Sequence, residues 1–203
     1  MLELDNYYFA TYNFITGIDE AGRGPLAGPL VVAAVTISSN FEISGLDDSK
    51  KLSDKKRREL YPLIMEEVIE YKIITVSVEE IEELNILHAT MKGMQQVYQG
   101  LQMQGMILVD GNRLPANLKE RGAEAIVKGD QKVSAIAAAS ILAKVYRDNI
   151  MIELDKSFPE YGFCRNKGYG TREHLLAIEQ HGITPCHRQS FGPVAQHTLY
   201  FDM

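Results

Sequence analysis

The stretch Phe14–Val35, FITGIDEAGRGPLAGPLVVAAV, sets two adjacent carboxylates, Asp19 and Glu20, directly before a loop carrying Gly22, Gly24 and Gly28. An apolar run leads into the acids and another leaves the loop. Phe14 to Asp19 reads as a strand, and Pro29 to Ser38, rich in valine, isoleucine and alanine, as a second; the glycine-proline turn makes them a hairpin or tightly connected pair. The loop itself is either a phosphate cradle or the rim of a metal site.

Spacing and charge argue against the cradle. Gly22, Gly24 and Gly28 stand at GxGxxxG, one residue away from the dinucleotide-binding GxGxxG, and no GKS/T ending follows. Pro25 and Pro29 interrupt what should become the first turns of an anion-binding helix. Two acids at its mouth would also repel pyrophosphate.

Farther along, Ser53 is an expected N-cap for a helix over roughly residues 54–70, where Leu60, Leu63, Ile64 and Val68 recur near helical spacing. KIITVSV (72–78) predicts a third strand, and Asn85 a cap for a helix striped by Leu87, Met91, Met94, Val97 and Leu101. MILVD predicts a strand ending on Asp110, and AEAIVKGD (123–130) repeats that pattern, an apolar extension followed by glycine and aspartate. Residues 134–157, dominated by small and apolar side chains without proline, read as one long helix, with short helices expected at 172–181 and 193–200. Strands before helices, then alternation, indicate an α/β fold with a mixed sheet.

Composition bounds the function. A chain of 203 residues that is 45% hydrophobic holds one compact domain, and no solenoid-like repeat is present. The start MLELDNYY lacks a signal peptide's basic and apolar regions, and no uninterrupted apolar run approaches membrane-spanning length, so a cytoplasmic protein with no membrane partner is expected. Cys164 and Cys186 lack metal-site spacing, which makes a zinc site or obligatory disulfide unexpected. A net charge of −6 disfavours nonspecific adsorption to nucleic acid, yet Lys50, Lys51, Lys55, Lys56, Arg57 and Arg58 form a basic run that leaves room for one basic face.

Asp19 with Glu20, Asp110 and Asp130 occupy three expected strand exits, where open α/β sheets gather functional side chains. Carboxylates brought together raise one another's pKa and repel unless protonated or bound to cations. Their charge of about −4 matches two divalent ions, and all-oxygen ligation favours Mg²⁺ or Mn²⁺. Two such ions roughly 3.5–4 Å apart can activate water and stabilise the leaving 3′ oxygen of a phosphodiester. Alternation along a strand sends Asp19 and Glu20 to opposite faces, so a shared site requires the backbone to turn at Ala21–Gly22.

With these residues in place, the sequence resembles the ribonuclease HII family. The shared landmarks are GIDEAGRGPLAGP, DSKKLS (48–53), LNILHAT (84–90), VDGN (109–112), VKGD (127–130), SAIAAASILAKVYRD (134–148) and KGYGT (167–171), in family order over nearly the whole chain. The resemblance implies a ribonuclease H-like mixed sheet flanked by helices over residues 1–158, with a small C-terminal helical extension, 159–203, in the same compact unit. It implies an endonuclease that cuts RNA in RNA–DNA hybrids and incises duplex DNA 5′ of embedded ribonucleotides, leaving 5′-phosphate and 3′-hydroxyl ends. Asp19, Glu20, Asp110 and Asp130 would hold Mg²⁺ or Mn²⁺, two ions in the substrate complex, and a monomer is expected.

By the same resemblance, Gly22, Arg23 and Gly24 approach the ribonucleotide and its 2′-hydroxyl through backbone groups, and Tyr169 packs at the neighbouring deoxynucleotide's sugar. Ser49, Lys50 and Lys51 match a phosphate-contacting segment. Glycine permits close backbone approach, and the 2′-hydroxyl is what distinguishes RNA from DNA. A hybrid-only ribonuclease without junction preference and a non-catalytic hybrid-binding module are the alternative readings. Asp148 is expected to pair with a basic neighbour; Ser140 and Lys144, four residues apart on the long helix, fit packing or site support equally. His88, His174 and His187 have no ligand spacing and read as structural or exposed.

Overall fold

A computed structural model describes residues 2–46, 51–103 and 105–201. Five strands form one mixed sheet in the order β3-β2-β1-β4-β5: β1 Phe14–Ala21, β2 Leu30–Ser38, β3 Glu70–Val76, β4 Met106–Asp110 and β5 Glu124–Ile126. β2 lies antiparallel between β1 and β3, whereas β4 runs parallel to β1, and β5 parallel to β4. Every residue of β2 but Ser38 is buried, because helices cover both sheet faces.

The helices are α1 Asp5–Phe9, α2 Asp54–Glu67, α3 Val78–Gln99, α4 Ala116–Glu120, α5 Ser134–Ser157, α6 Phe163–Asn166, α7 Arg172–His181 and α8 Gly192–Phe201. On one face, Ile15, Val31, Ala33, Val35 and Leu108 pack against the alanine-rich side of α5 and against Leu60 and Ile64 of α2. On the other, Ile18, Leu30, Val32, Ala34 and Val109 meet Ile81, Ala89, Met94 and Val97 of α3. A third cluster joins the last helices to the glycine loop and α5 through Leu26, Ala27, Met151, Tyr161, Phe163 and Val194. No helix among the described residues is long and apolar enough to cross a membrane, and Cys164 and Cys186 are free thiols.

Ser53 caps α2 as expected, its hydroxyl accepting from the Lys56 N–H at 3.2 Å. Two boundaries differ. β3 starts and ends two residues earlier than KIITVSV suggested, because Ser77 leaves the strand to form a reciprocal capping box with Glu80 at the start of α3. Asn85 stands inside α3 at φ 61°, where its Oδ1 accepts from the N–H groups of Leu87 and His88. It therefore caps the second half of a kinked helix, and Val78–Leu84 is an added segment.

The N-terminus of α5 is capped from far away. Asp5 of α1 accepts from the Ser134 N–H at 2.9 Å and from its hydroxyl. Gly17 in the middle of β1 lets α5 lie directly on the strand: a Cβ there would sit 2.2 Å from the Ala135 carbonyl carbon. A Gly17→Ala chain should therefore lose roughly 1–3 kcal/mol or more of stability, since the obstacle is backbone that cannot rotate aside. Urea unfolding monitored by circular dichroism reads this out; an unchanged midpoint would show that α5 does not need this close approach.

Candidate active site

β1 and β4 pair up to Ile18 and Val109, so the next residues, Asp19 and Asp110, stand side by side on the α5 face of the sheet. β4 stops at Asp110, and Gly111 turns away at φ 99° with its N–H bonded to Ile126. β1 continues to Ala21 against β2. The strands thus part at the acids, opening a crevice at their C-terminal ends.

Asp19 is 5% exposed and takes hydrogen bonds from the Ser140 hydroxyl on α5 and from the N–H of Glu20 at 2.7 Å. Burial, together with the nearby charges of Glu20 and Asp110, pushes its carboxyl well above the usual range despite both donors. Glu20 keeps the strand's alternation, since β1 stays extended through Ala21 and the backbone turns, as expected at the strand's end, at Gly22 with φ 103°. It reaches the same cavity because no strand lies beside it beyond Asp110, so the cavity wraps round the end of β4. Its Oε1 receives the Arg23 guanidinium at 3.3 Å.

Asp130 is placed differently from its expected strand exit. β5 ends at Ile126, Lys128 is left-handed, and Asp130 lies buried in a single 3₁₀ turn, Gly129–Gln131, ahead of α5. The same turn donates the Gly129 N–H to Asp110 Oδ1 at 2.7 Å. Asp19, Glu20 and Asp110 line a cavity of about 310 Å³ with Gly22, Arg23, Gly24 and Tyr169, whereas Asp130 does not line it. Among the described residues, no three acidic, histidine or cysteine side chains converge closely enough to cage an ion by themselves.

Basic and polar groups line the rest of the cavity: Arg57 from α2, and Ser140, Lys144 and Arg147 from α5. Positions 140, 144 and 147 share one helix face, a spacing visible in the sequence. Lys144 Nζ pairs with the buried Asp148 at 2.7 Å, as the sequence suggested. Arg147, in sequence one of the later basic residues that could join a basic face, is enclosed instead. It is 1% exposed, and its guanidinium donates to the carbonyls of Ala27, Pro29 and Lys167. Gly22, at φ 103°, leaves the space it occupies, since a Cβ there would lie 2.2 Å from Arg147 Nε. Lys51 is exposed ahead of α2 and does not line the cavity; Ser49 and Lys50 lie outside the described residues.

Tyr169 is 45% exposed, and its ring stands 3.7 Å from where a Gly24 Cβ would be. Its backbone is fixed by two buried histidines. The Thr184 N–H donates to His187 Nδ1 at 3.0 Å, so the proton of His187 sits on Nε2, which faces His174 Nε2 at 3.1 Å. His174 then carries its proton on Nδ1 and donates it to the Tyr169 carbonyl at 2.9 Å. Both rings are neutral in this chain of bonds, and burial moves His187 down from 6.5 to about 4.

A mixed sheet covered on both faces, with carboxylates where its central strands diverge, places the molecule among ribonuclease H-like nucleases. The ribonuclease HII family profile matches residues 16–194. The chain is 52% identical to ribonuclease HII of Francisella tularensis over 181 residues, 89% of this chain and 96% of that one. Ribonuclease H2 of Pyrococcus horikoshii superposes with a TM-score of 0.80 at 26% identity, covering 93% of this chain and 99% of that chain. The ribonuclease HII in the Archaeoglobus fulgidus PCNA complex gives 0.75 at 29% identity, covering 88% and 95%. The chain belongs to the ribonuclease HII family and is a ribonuclease H endonuclease acting on RNA–DNA substrates.

The histidine chain has a pH consequence. A folded pKa near 4 against an unfolded 6.5 means that the unfolded chain binds protons first. The stabilising contribution is complete above pH 6.5 and is lost as pH falls from there towards 4. Wild type should lose more stability than His187→Gln between pH 7.5 and 4.5 in urea titrations. Parallel losses would show that His187 is not held neutral.

Proposed function

We propose that this chain incises duplex DNA on the 5′ side of embedded ribonucleotides and cuts RNA in RNA–DNA hybrids, using Mg²⁺ or Mn²⁺ held by Asp19, Glu20, Asp110 and Asp130. The observation that carries the reading is Asp19: a buried carboxyl beside Glu20 and Asp110, its pKa raised by burial and by those two charges. A donor set of oxygens under mutual repulsion suits a hard divalent cation, which relieves it. Mg²⁺ commonly binds one or two carboxylates and completes its shell with water and substrate phosphate, so an open cluster fits it. Bound there, such ions supply Lewis-acid stabilisation of charge on the reacting phosphate.

The chain's own groups do the rest. The Ser140 hydroxyl and the Gly129 N–H each hold a carboxylate oriented towards the cavity side of the sheet. Arg57 and Lys144, with Lys50 and Lys51 of the DSKKLS segment, bring positive charge for phosphates, Ser49 of that segment offers a hydroxyl, and together they fix register without reading bases. Gly22, Arg23 and Gly24 offer backbone groups to the ribose, while Tyr169 packs against the next sugar and identifies the RNA-to-DNA junction. Residues 159–203 form the extension that carries this tyrosine and act as one unit with the 1–158 core.

Asp110→Asn should bind hybrid close to wild type while its cleavage rate in Mg²⁺ falls by roughly 10²-fold or more, the scale of losing a charge contact to the transition state. A rate near wild type would sink the carboxylate assignment. Tyr169→Ala should reduce incision at a single ribonucleotide more than cleavage of a continuous hybrid. Equal loss on both substrates would favour a hybrid ribonuclease without junction preference.

A further inference from the structure

We propose that Arg188, in the C-terminal segment, is the positioning residue that aims the consecutive N–H groups of Arg23 and Gly24 into the cavity, making a two-donor nest for the ribose 2′-oxygen. The inference rests on the sugar-reading role of this loop given above. Arg188 is fully buried and its guanidinium meets carbonyls: Nη2 donates to Gly22 O at 2.6 Å, Nη1 to Arg23 O at 3.1 Å, and Nε and Nη2 both to Gly28 O. Its planar face stacks on Phe191 at 5.0 Å.

In a trans peptide the N–H points opposite to the carbonyl before it, and the described chain has no cis peptide bond. Holding the carbonyls of Gly22 and Arg23 therefore turns the N–H groups of Arg23 and Gly24 away from Arg188. That direction leads out of the core, since Arg188 is enclosed while Arg23 and Gly24 are exposed and line the cavity. No described residue accepts from either N–H. Two successive donors pointing one way form a concave site for an electron-rich oxygen.

Tying the loop to the extension does not need this side chain. Backbone bonds already do so: Gly28 N–H to Cys186 O, Arg188 N–H to Leu26 O, and the bridge between Ala27 and His187. Arg147 separately holds the carbonyls of Ala27 and Pro29. What the Arg188 side chain adds is its hold on Gly22 and Arg23. Lysine keeps the charge but lacks the fork that spans three carbonyls.

The test measures affinity in EDTA for a duplex with one ribonucleotide and for the matching all-DNA duplex, in wild type and Arg188→Lys. The wild type should prefer the ribonucleotide, and the variant should lose about tenfold of that preference, the effect of two weakened hydrogen bonds, at unchanged affinity for DNA. A preference equal to wild type, or equal losses on both duplexes, overturns the proposal. If Arg188→Lys does not fold, the wild type decides by NMR: the Arg23 and Gly24 amides should shift with the ribonucleotide duplex and stay with DNA. Equal shifts would mean a phosphate site, and no shifts no site; either overturns the proposal. Wild-type incision in Mg²⁺ separates the two readings, since its absence removes the proposed function, whereas incision with an unaltered Arg188→Lys preference removes only the nest.

Discussion

The site depends on how closely α5 lies on β1. Gly17 removes the side chain that would hold the helix off, and the first turns of α5 settle onto strand backbone. From that contact one helix face serves the whole site in sequence: Ser140 reaches Asp19, Lys144 lines the cavity, Arg147 gathers loop carbonyls, and Met151 enters the cluster under the C-terminal helices. The alanines at 135, 137, 138, 139 and 143 are all fully buried and keep the helix thin enough for the contact. A single packing distance thus sets the positions of an acid, a cation and a backbone loop.

Buried charge is handled in two ways. Arg147 and Arg188 are enclosed, and burial lowers them to about 10 and about 9, so both stay protonated near neutrality. Their hydrogen bonds go to backbone carbonyls, which fixes the glycine loop as a rigid surface. Asp19 has the opposite arrangement: two neutral donors and two acidic neighbours, with its pKa raised. The internally satisfied arginines build the scaffold, while the carboxylates are left to respond to what enters the cavity.

Local signals in the sequence carried most of the fold. The small-residue run 134–157 became α5 with those bounds, Ser53 capped α2, and the apolar runs became β1, β2 and β4. Asp19, Glu20 and Asp110 were legible as acids at the ends of apolar runs, and they come together because the parallel pairing of β1 with β4 stops just before Asp19 and Asp110. What stayed hidden was long-range or masked by a stronger local cue. The cap on α5 comes from Asp5, 129 residues away, and the clasp on Gly22 from Arg188, 166 residues away. Neither arginine shows a partner motif, because carbonyls leave no mark in a sequence. The β-branched run before Ser77 concealed a capping box, and the VKGD pattern concealed that Asp130 sits in a 3₁₀ turn. Glu20 stands beside the end of β4, on a strand that stays extended through Ala21 and turns at Gly22.

The central claim is that acids and sugar-reading loop act in one cavity, so that cleavage is tied to a ribonucleotide. Mapping cut positions with Mg²⁺ on a DNA duplex containing one ribonucleotide, beside an otherwise identical all-DNA duplex, tests it most directly. The account predicts one incision on the 5′ side of the ribonucleotide, with a 3′-hydroxyl and a 5′-phosphate, and an intact all-DNA duplex. Cutting of both duplexes at the same positions, or a cut unrelated to the ribonucleotide, would contradict it.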